Sequence, residues 1–216
     1  MLKLLDSSRQ DFLRYLLHQL KSFFPDGGKD MDKLLDCYLD EALARLEICI
    51  EPVRMWRSGE FHYLHSSQYA IFLYFLANSI WRREGPDRVC TKLFFLNKAL
   101  NGIDCFYEIA LPKIFFIGHS VGIVLAKATY GEYLVLYQNC TVGKNHGIAP
   151  TIGKGVILYP HTAIIGNSAI GDGSVISQGV SVINRDTPGD CLVFQQAAGE
   201  LIFRPSKNAI DEYFSA

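Results

Sequence analysis

Apolar positions recur with two different periods along the 216 residues. In the first half the spacing is helical. Ser8 can cap a helix with Asp11 at its third position and Phe12, Leu16, Leu20 and Phe23 on one face, stopped by Pro25-Asp26-Gly27-Gly28. Asp30 can cap a second helix that carries Leu35, Leu39, Ala42 and Leu46. A third follows Ser66 through Tyr69, Phe72, Leu73, Leu76 and Ile80. It is apolar nearly all round, which predicts burial between neighbours or at a subunit contact. Pro86 suits the first turn of a fourth, with Val89, Leu93, Leu96 and Leu100 as its stripe and Asn101-Gly102 as its end.

In the second half an aliphatic residue returns every six positions: Ile152, Leu158, Ile164, Ile170, Ile176 and Val182. Small residues fill the fifth place of each hexad, at Val156, Thr162, Ser168, Ser174 and Val180. Run backwards, the register gives Val142, Leu136, Tyr130 and Val124, with one ten-residue step between Val142 and Ile152. A hexad period predicts a parallel β-helix whose rungs stack about 4.8 Å apart and bury the aliphatic positions. The four surplus residues must leave the coil as a loop around Asn145-His146-Gly147, and loops on a solenoid are where binding features gather.

Composition marks the boundary between these halves. Of the 43 charged side chains 27 precede residue 104, whereas 11 of the 18 glycines lie between 104 and 187. The expected division is an α-helical domain over 1–103, a β-helix over 104–187, and a C-terminal tail over 188–216 packing on the β-helix. With 21 basic and 22 acidic residues the chain has no general attraction to nucleic acid or anionic lipid, so neither is expected as a partner. The stretch Tyr69–Ala77 is too short to span a bilayer, which takes about 20 residues, and Asp6-Ser7-Ser8 come too early for a signal peptide. Six cysteines without a C-x-x-C pair predict reduced, mostly buried thiols and a cytoplasmic protein.

Several segments in the second half resemble the hexapeptide-repeat acyltransferases, specifically the serine O-acetyltransferase group. They are His119-Ser120-Val121-Gly122-Ile123-Val124, Tyr137 to Gly143, Pro150 to Gly155, and Ile164-Ile165-Gly166-Asn167. Asp104 stands 15 residues before His119, as in that family. The likeness covers most of residues 60–185. It implies a left-handed coil, a homotrimer or dimer of trimers, and acetyl-CoA as co-substrate in the groove between adjacent β-helices, with no metal. Serine-specific members carry an acidic residue before the histidine and an Arg-His pair before the Pro-x-Ile hexad. Here those places hold Gly118 and Ile148-Ala149. The acceptor is therefore left open between L-serine and an amino sugar, nucleotide sugar or other polysaccharide precursor.

Acetyl transfer from a thioester to a hydroxyl needs a base for the hydroxyl proton. Imidazole suits this, since it ordinarily titrates near 6.5. His119 is the candidate base, and Asp104 the carboxylate that orients it, the two on adjoining rungs near one corner. For acetyl-CoA the likeness points to Gly143, Lys144, Pro160, Gln178 and Gly179, with Lys144 or Arg204 available to a phosphate. Asn145 and His146 in the loop, and His65 before the third helix, are the acceptor-site candidates. Cys140 occupies an inward-leaning fifth place and reads as packing. A zinc enzyme on the same solenoid would draw on His119, His146 and His161, whose spacings of 27 and 15 hold no short ligand pair. A non-catalytic trimeric scaffold is the remaining class.

Overall fold

Ser8 adopts the extended backbone of an N-cap, and its Oγ accepts from the Asp11 amide, so helix α1 (Arg9–Phe23) starts where its polar cap requires. The computed structural model describes residues 2–26, 30–196 and 199–215, and the Gly27-Gly28 part of the expected stop lies outside them. Phe12, Leu16 and Leu20 of α1 are buried. Phe23, expected on the same face, is exposed instead, because it is the last residue of the helix and projects past its neighbours. Helix α2 (Met31–Ile50) buries all four expected residues, but Asp30 does not cap it. Its backbone is left-handed, unlike a capping residue's, and its carboxylate pairs with Lys33 at 3.0 Å.

Helix α3 (Ser66–Glu84) is buried without interruption from Ser67 to Ile80. Its cover comes from α2, from helix α4 (Arg88–Asn101) and from the solenoid of the same chain, so its apolar girth needs no subunit contact. Pro86 stands before α4 rather than in its first turn, because Asp87 is the cap and accepts from the Val89 amide at 2.6 Å. Val89, Leu93 and Leu96 are buried, whereas Leu100 in the last turn is exposed. Gly102 ends the helix with φ +66°. A short parallel pair, β1 (Lys3–Leu4) with β2 (Glu60–Phe61), ties the N-terminus to the segment before α3.

The second half winds into a parallel β-solenoid of about five turns with three faces. The five-strand face stacks β3 (Asp104–Cys105), β5 (Val124–Leu125), β8 (Thr141–Gly143), β11 (Ala163–Ile165) and β14 (Ser181–Ile183). The six-strand face stacks β4 (Phe115–Ile117), β7 (Leu134–Leu136), β10 (Ile157–Leu158), β13 (Val175–Ile176) and β15 (Cys191–Gln195), closed by antiparallel β16 (Leu201–Pro205). The three-strand face stacks β6 (Thr129–Tyr130), β9 (Thr151–Ile152) and β12 (Ala169–Ile170).

The aliphatic hexad positions from Leu136 to Val182 fill the interior, and the small fifth-place residues are buried beside them. The register fails at one point. Leu125, not Val124, turns inward and pairs with Val142, because the corner before Tyr130 is one residue shorter. Tyr130 closes that corner by donating its hydroxyl to Ala126 O at 2.7 Å. Outside the six-strand face, Phe116, Val135, Ile157 and Val175 are covered by Val53, Tyr213 and Phe214. The C-terminal segment thus folds back across that face, with Arg54 N donating to Tyr213 O at 2.9 Å. Among the described residues no helix is long and apolar enough to cross a membrane. All six cysteines are free thiols, and only Cys37 is exposed.

Candidate active site

Backbone hydrogen bonds set the register where the six-strand face turns into the five-strand face. Gly118 N donates to Leu136 O, Tyr137 N to Leu158 O, and Tyr159 N to Ile176 O. Beyond the corner, Asn139 N donates to Val121 O, His161 N to Gln138 O, and Gly179 N to Pro160 O. Three columns follow along the solenoid axis. The first is Gly118, Tyr137 and Tyr159. The second begins in the longer turn His119–Val121 and continues through Gln138, Pro160 and Gln178. The third is Gly122, Asn139, His161 and Gly179, all with positive φ. At one coil spacing per step, His119 and Gln178 stand about 14 Å apart along one edge.

Both residues flanking His119 are tied to the helical half. Ser67 Oγ, at the start of α3, donates to Gly118 O at 3.2 Å, and the buried Ser120 Oγ donates to Asn101 O at 2.7 Å. His119 itself is exposed, its ring 6.4 Å from that of Tyr137. Asp104 lies beside Val124 on the next rung, with its amide donating to Ile123 O at 2.8 Å. Its carboxylate turns elsewhere: Oδ2 accepts from Lys98 Nζ at 2.6 Å, and among the described residues no hydrogen bond joins it to His119. The expected neighbourhood of the pair is present and their contact is not.

Pro160, Gln178 and Gly179 share the edge that carries His119. Pro160 has no N–H to offer a ligand, and its carbonyl is engaged by Gly179. A cavity of about 490 Å³ opens there, lined by Gln178, Gly179, Phe194 and Gln195 among others. An ideal Cβ at Gly179 meets nothing within 4 Å, so the backbone is open to a close-lying chain. The Arg204 guanidinium lies 5.3 Å over the Phe194 ring on the adjoining hairpin.

Gly143, Lys144, Asn145 and His146 stand at the opposite edge of the five-strand face. There the extruded loop is a tight hairpin in which Asn145 and Ile148 exchange both backbone hydrogen bonds around His146 and Gly147. Both turn residues have positive φ, the requirement of a type I′ turn. Within one chain these residues do not reach His119. His65 occupies the N-cap position of α3, but its side chain caps nothing and meets the Trp56 ring edge-on at 5.7 Å. Burial pushes its pKa down. His161 is a corner residue 3.4 Å from the Asn139 amide. Cys140 is fully buried, its thiol bonded to backbone carbonyls and its pKa raised by burial, which suits packing.

Sequence reasoning missed Lys98, Ser67 and the tyrosines at 137, 159 and 213. Tyr137 and Tyr159 could have been found, since each directly follows an inward hexad position, Leu136 and Leu158, and so must stack on the next coil.

The arrangement can be set beside known proteins. No protein-family model matches the chain. It is 26% identical over 139 residues to serine acetyltransferase of Bacillus subtilis, a match that covers 57% of this chain and 58% of that enzyme. The chain thus spans little more than half the length of that curated relative. Among solved structures, serine acetyltransferase from Brucella abortus superposes with a TM-score of 0.67 at 18% identity, over 93% of this chain and 86% of that one. The fold is that of the serine acetyltransferases. The Brucella enzyme in complex with coenzyme A gives a TM-score of 0.66 at 16% identity, covering 93% and 84%. The shared architecture is N-terminal helices followed by a left-handed parallel β-helix.

Proposed function

We propose that the chain is an acetyl-CoA-dependent O-acetyltransferase of the serine acetyltransferase type, with His119 as general base. The observation that carries this reading is the single edge on which an exposed imidazole, an open glycine backbone and a 490 Å³ cavity follow one another. An extended thioester arm laid along that edge would bring its carbonyl toward His119. The acceptor hydroxyl oxygen attacks that carbon while the imidazole takes its proton. Collapse of the tetrahedral intermediate then expels the thiolate of coenzyme A, to which the imidazolium returns the proton. Asp104 would orient the ring once its carboxylate leaves Lys98, and Arg204 or Lys144 would meet phosphate groups.

The split of the candidates between two edges of one face supports a homotrimer or dimer of trimers, in which the Gly143–His146 edge of one copy faces the His119 edge of the next. Relatives named serine acetyltransferase, one of them solved with coenzyme A, support the same reading. It divides the chain into helices (1–103), solenoid (104–187) and a tail (188–216) whose strand β15 adds a last parallel strand to the six-strand face, and the buried free thiols suit a reducing cytoplasm.

The test is His119→Ala. Turnover should fall by roughly 10²–10⁴, the usual contribution of positioned proton transfer, while acetyl-CoA affinity by calorimetry stays unchanged. Near-normal turnover in this variant would remove His119 from the reaction, and with His146→Ala inactive would transfer the role to the loop histidine.

A further inference from the structure

At the corner that carries His119 the solenoid has no complete earlier coil to rest on, and the end of α4 stands in for one. The step that joins Asn139 N to Val121 O, His161 N to Gln138 O and Gly179 N to Pro160 O is continued one coil back by Gly122 N, which donates to Gly102 O at 2.9 Å. This corner is also longer. It runs over three residues, His119–Val121, where each later corner has one, Gln138, Pro160 or Gln178. Among the described residues the His119 imidazole makes no hydrogen bond, and the Tyr137 ring lies 6.4 Å away. Its direction is therefore set by the backbone of the turn, and the turn by whatever holds it.

Two buried serine hydroxyls hold it, one on each side of His119. Ser67 Oγ of α3 donates to Gly118 O at 3.2 Å, and Ser120 Oγ donates to Asn101 O, at the end of α4, at 2.7 Å. The two anchors belong to one body. Asn101 Nδ2 donates to Asn97 Oδ1 and Asn97 Nδ2 to Ala70 O, both at 2.9 Å, which leads from α4 back to α3 about one turn beyond Ser67. Both asparagines are buried, so these bonds have no water to replace them.

We infer that Ser67 and Ser120 are positioning residues for the base, and that the helical half takes part in the reaction by aiming His119 along its edge. The inference rests on the acetyltransferase reading above. With both hydroxyls engaged, the turn is held at either side of the imidazole. With one released, it can swing about the other. Proton transfer tolerates little of that, since a displacement of about 1 Å can cost on the order of 10²-fold in rate. Ser120 has the shorter bond and is rooted in the asparagine chain, so it carries more of the effect than Ser67.

The experiment follows release of coenzyme A from acetyl-CoA with the full chain, offering L-serine and N-acetyl-D-glucosamine and using whichever is turned over faster. Ser120→Ala should lower kcat by about tenfold and Ser67→Ala by about threefold, with KM for acetyl-CoA unchanged, because the open Gly179 backbone lies elsewhere on the edge. Each change is then repeated in the His119→Ala background. There it should alter the residual rate by less than about twofold, since the hydroxyls act through the imidazole. Where Ser120→Ala fails to fold, Ser67→Ala carries the same cycle by itself. Unchanged kcat in the serine variants, or an equal loss with and without His119, would overturn the inference. Full turnover in His119→Ala, or release from neither acceptor, would instead remove the acetyltransferase reading beneath it.

Discussion

Asp104 reaches the candidate site already holding a partner. Its salt bridge with Lys98 is half open to water, with side-chain exposures of 34% and 50%, and such pairs contribute about 1 kcal/mol at most. Transferring the carboxylate to a developing imidazolium therefore costs no more than about a fivefold factor in rate. Lys98→Met should raise turnover by up to about fivefold, while Asp104→Asn should lower it, though by less than His119→Ala does. Steady-state rates of the three variants decide this. A Lys98→Met enzyme as slow as Asp104→Asn would show that the lysine itself serves the reaction. The 15-residue spacing put Asp104 and His119 on adjoining rungs correctly. Lys98 was not legible, because it meets Asp104 only after Gly102 turns the chain back out of α4. Gly118 was legible as a departure from a likeness but not as a steric necessity: an added Cβ would lie 2.6 Å from the Tyr137 ring, whose hydroxyl meets that of Tyr213, 76 residues further on.

Within α3, the polar pair that ends the Tyr69–Ala77 stretch is a structural node. Arg45 of α2 donates to Asn78 Oδ1 and to Ser79 Oγ, both at 2.8 Å, while Asn78 Nδ2 donates to the buried Tyr107 O at 2.7 Å. Burial lowers the guanidinium pKa, so this charge depends on its hydrogen bonds. Asn78→Leu matches the apolar surroundings but leaves the Tyr107 carbonyl and one guanidinium nitrogen of Arg45 without a partner, while Ser79 Oγ and Phe75 O still accept from the other, a loss on the order of 2–4 kcal/mol. Thermal unfolding should shift down by about 5–10 °C for a chain of this size. An unchanged midpoint would mean that Arg45 finds water instead. At this scale the sequence pattern was most reliable where one period ran unbroken, as from Ile152 to Val182. It slipped at Val124 because the hexad count assumes equal corners. It misplaced Pro86 and Asp30 because capping depends on backbone angle as well as residue type.

Taken as a prism, the solenoid uses its three faces differently. The six-strand face is covered within the chain by Val53, Tyr213 and Phe214. The three-strand face presents Thr129, Thr151 and Ala169 to water. The six-strand face leaves Phe203 of β16 40% exposed at its end, and the five-strand face leaves Val124 44% and Ile183 50% exposed, with Val121 and Ile148 exposed at its two corners. Those corners are the ones that carry His119 and the Asn145–Ile148 hairpin, so a second copy seated on this face would cover the apolar patch and join the two groups of candidates. Light scattering at micromolar concentration should therefore give three or six times 24.3 kDa. The double variant Val124→Asp with Ile183→Asp should shift the mass toward the monomer. It should keep its far-ultraviolet circular dichroism, because neither side chain lies in the interior, and should lose most of its turnover. A wild-type monomer would refute the assembly, and a monomeric variant with full turnover would show that one chain holds the whole site.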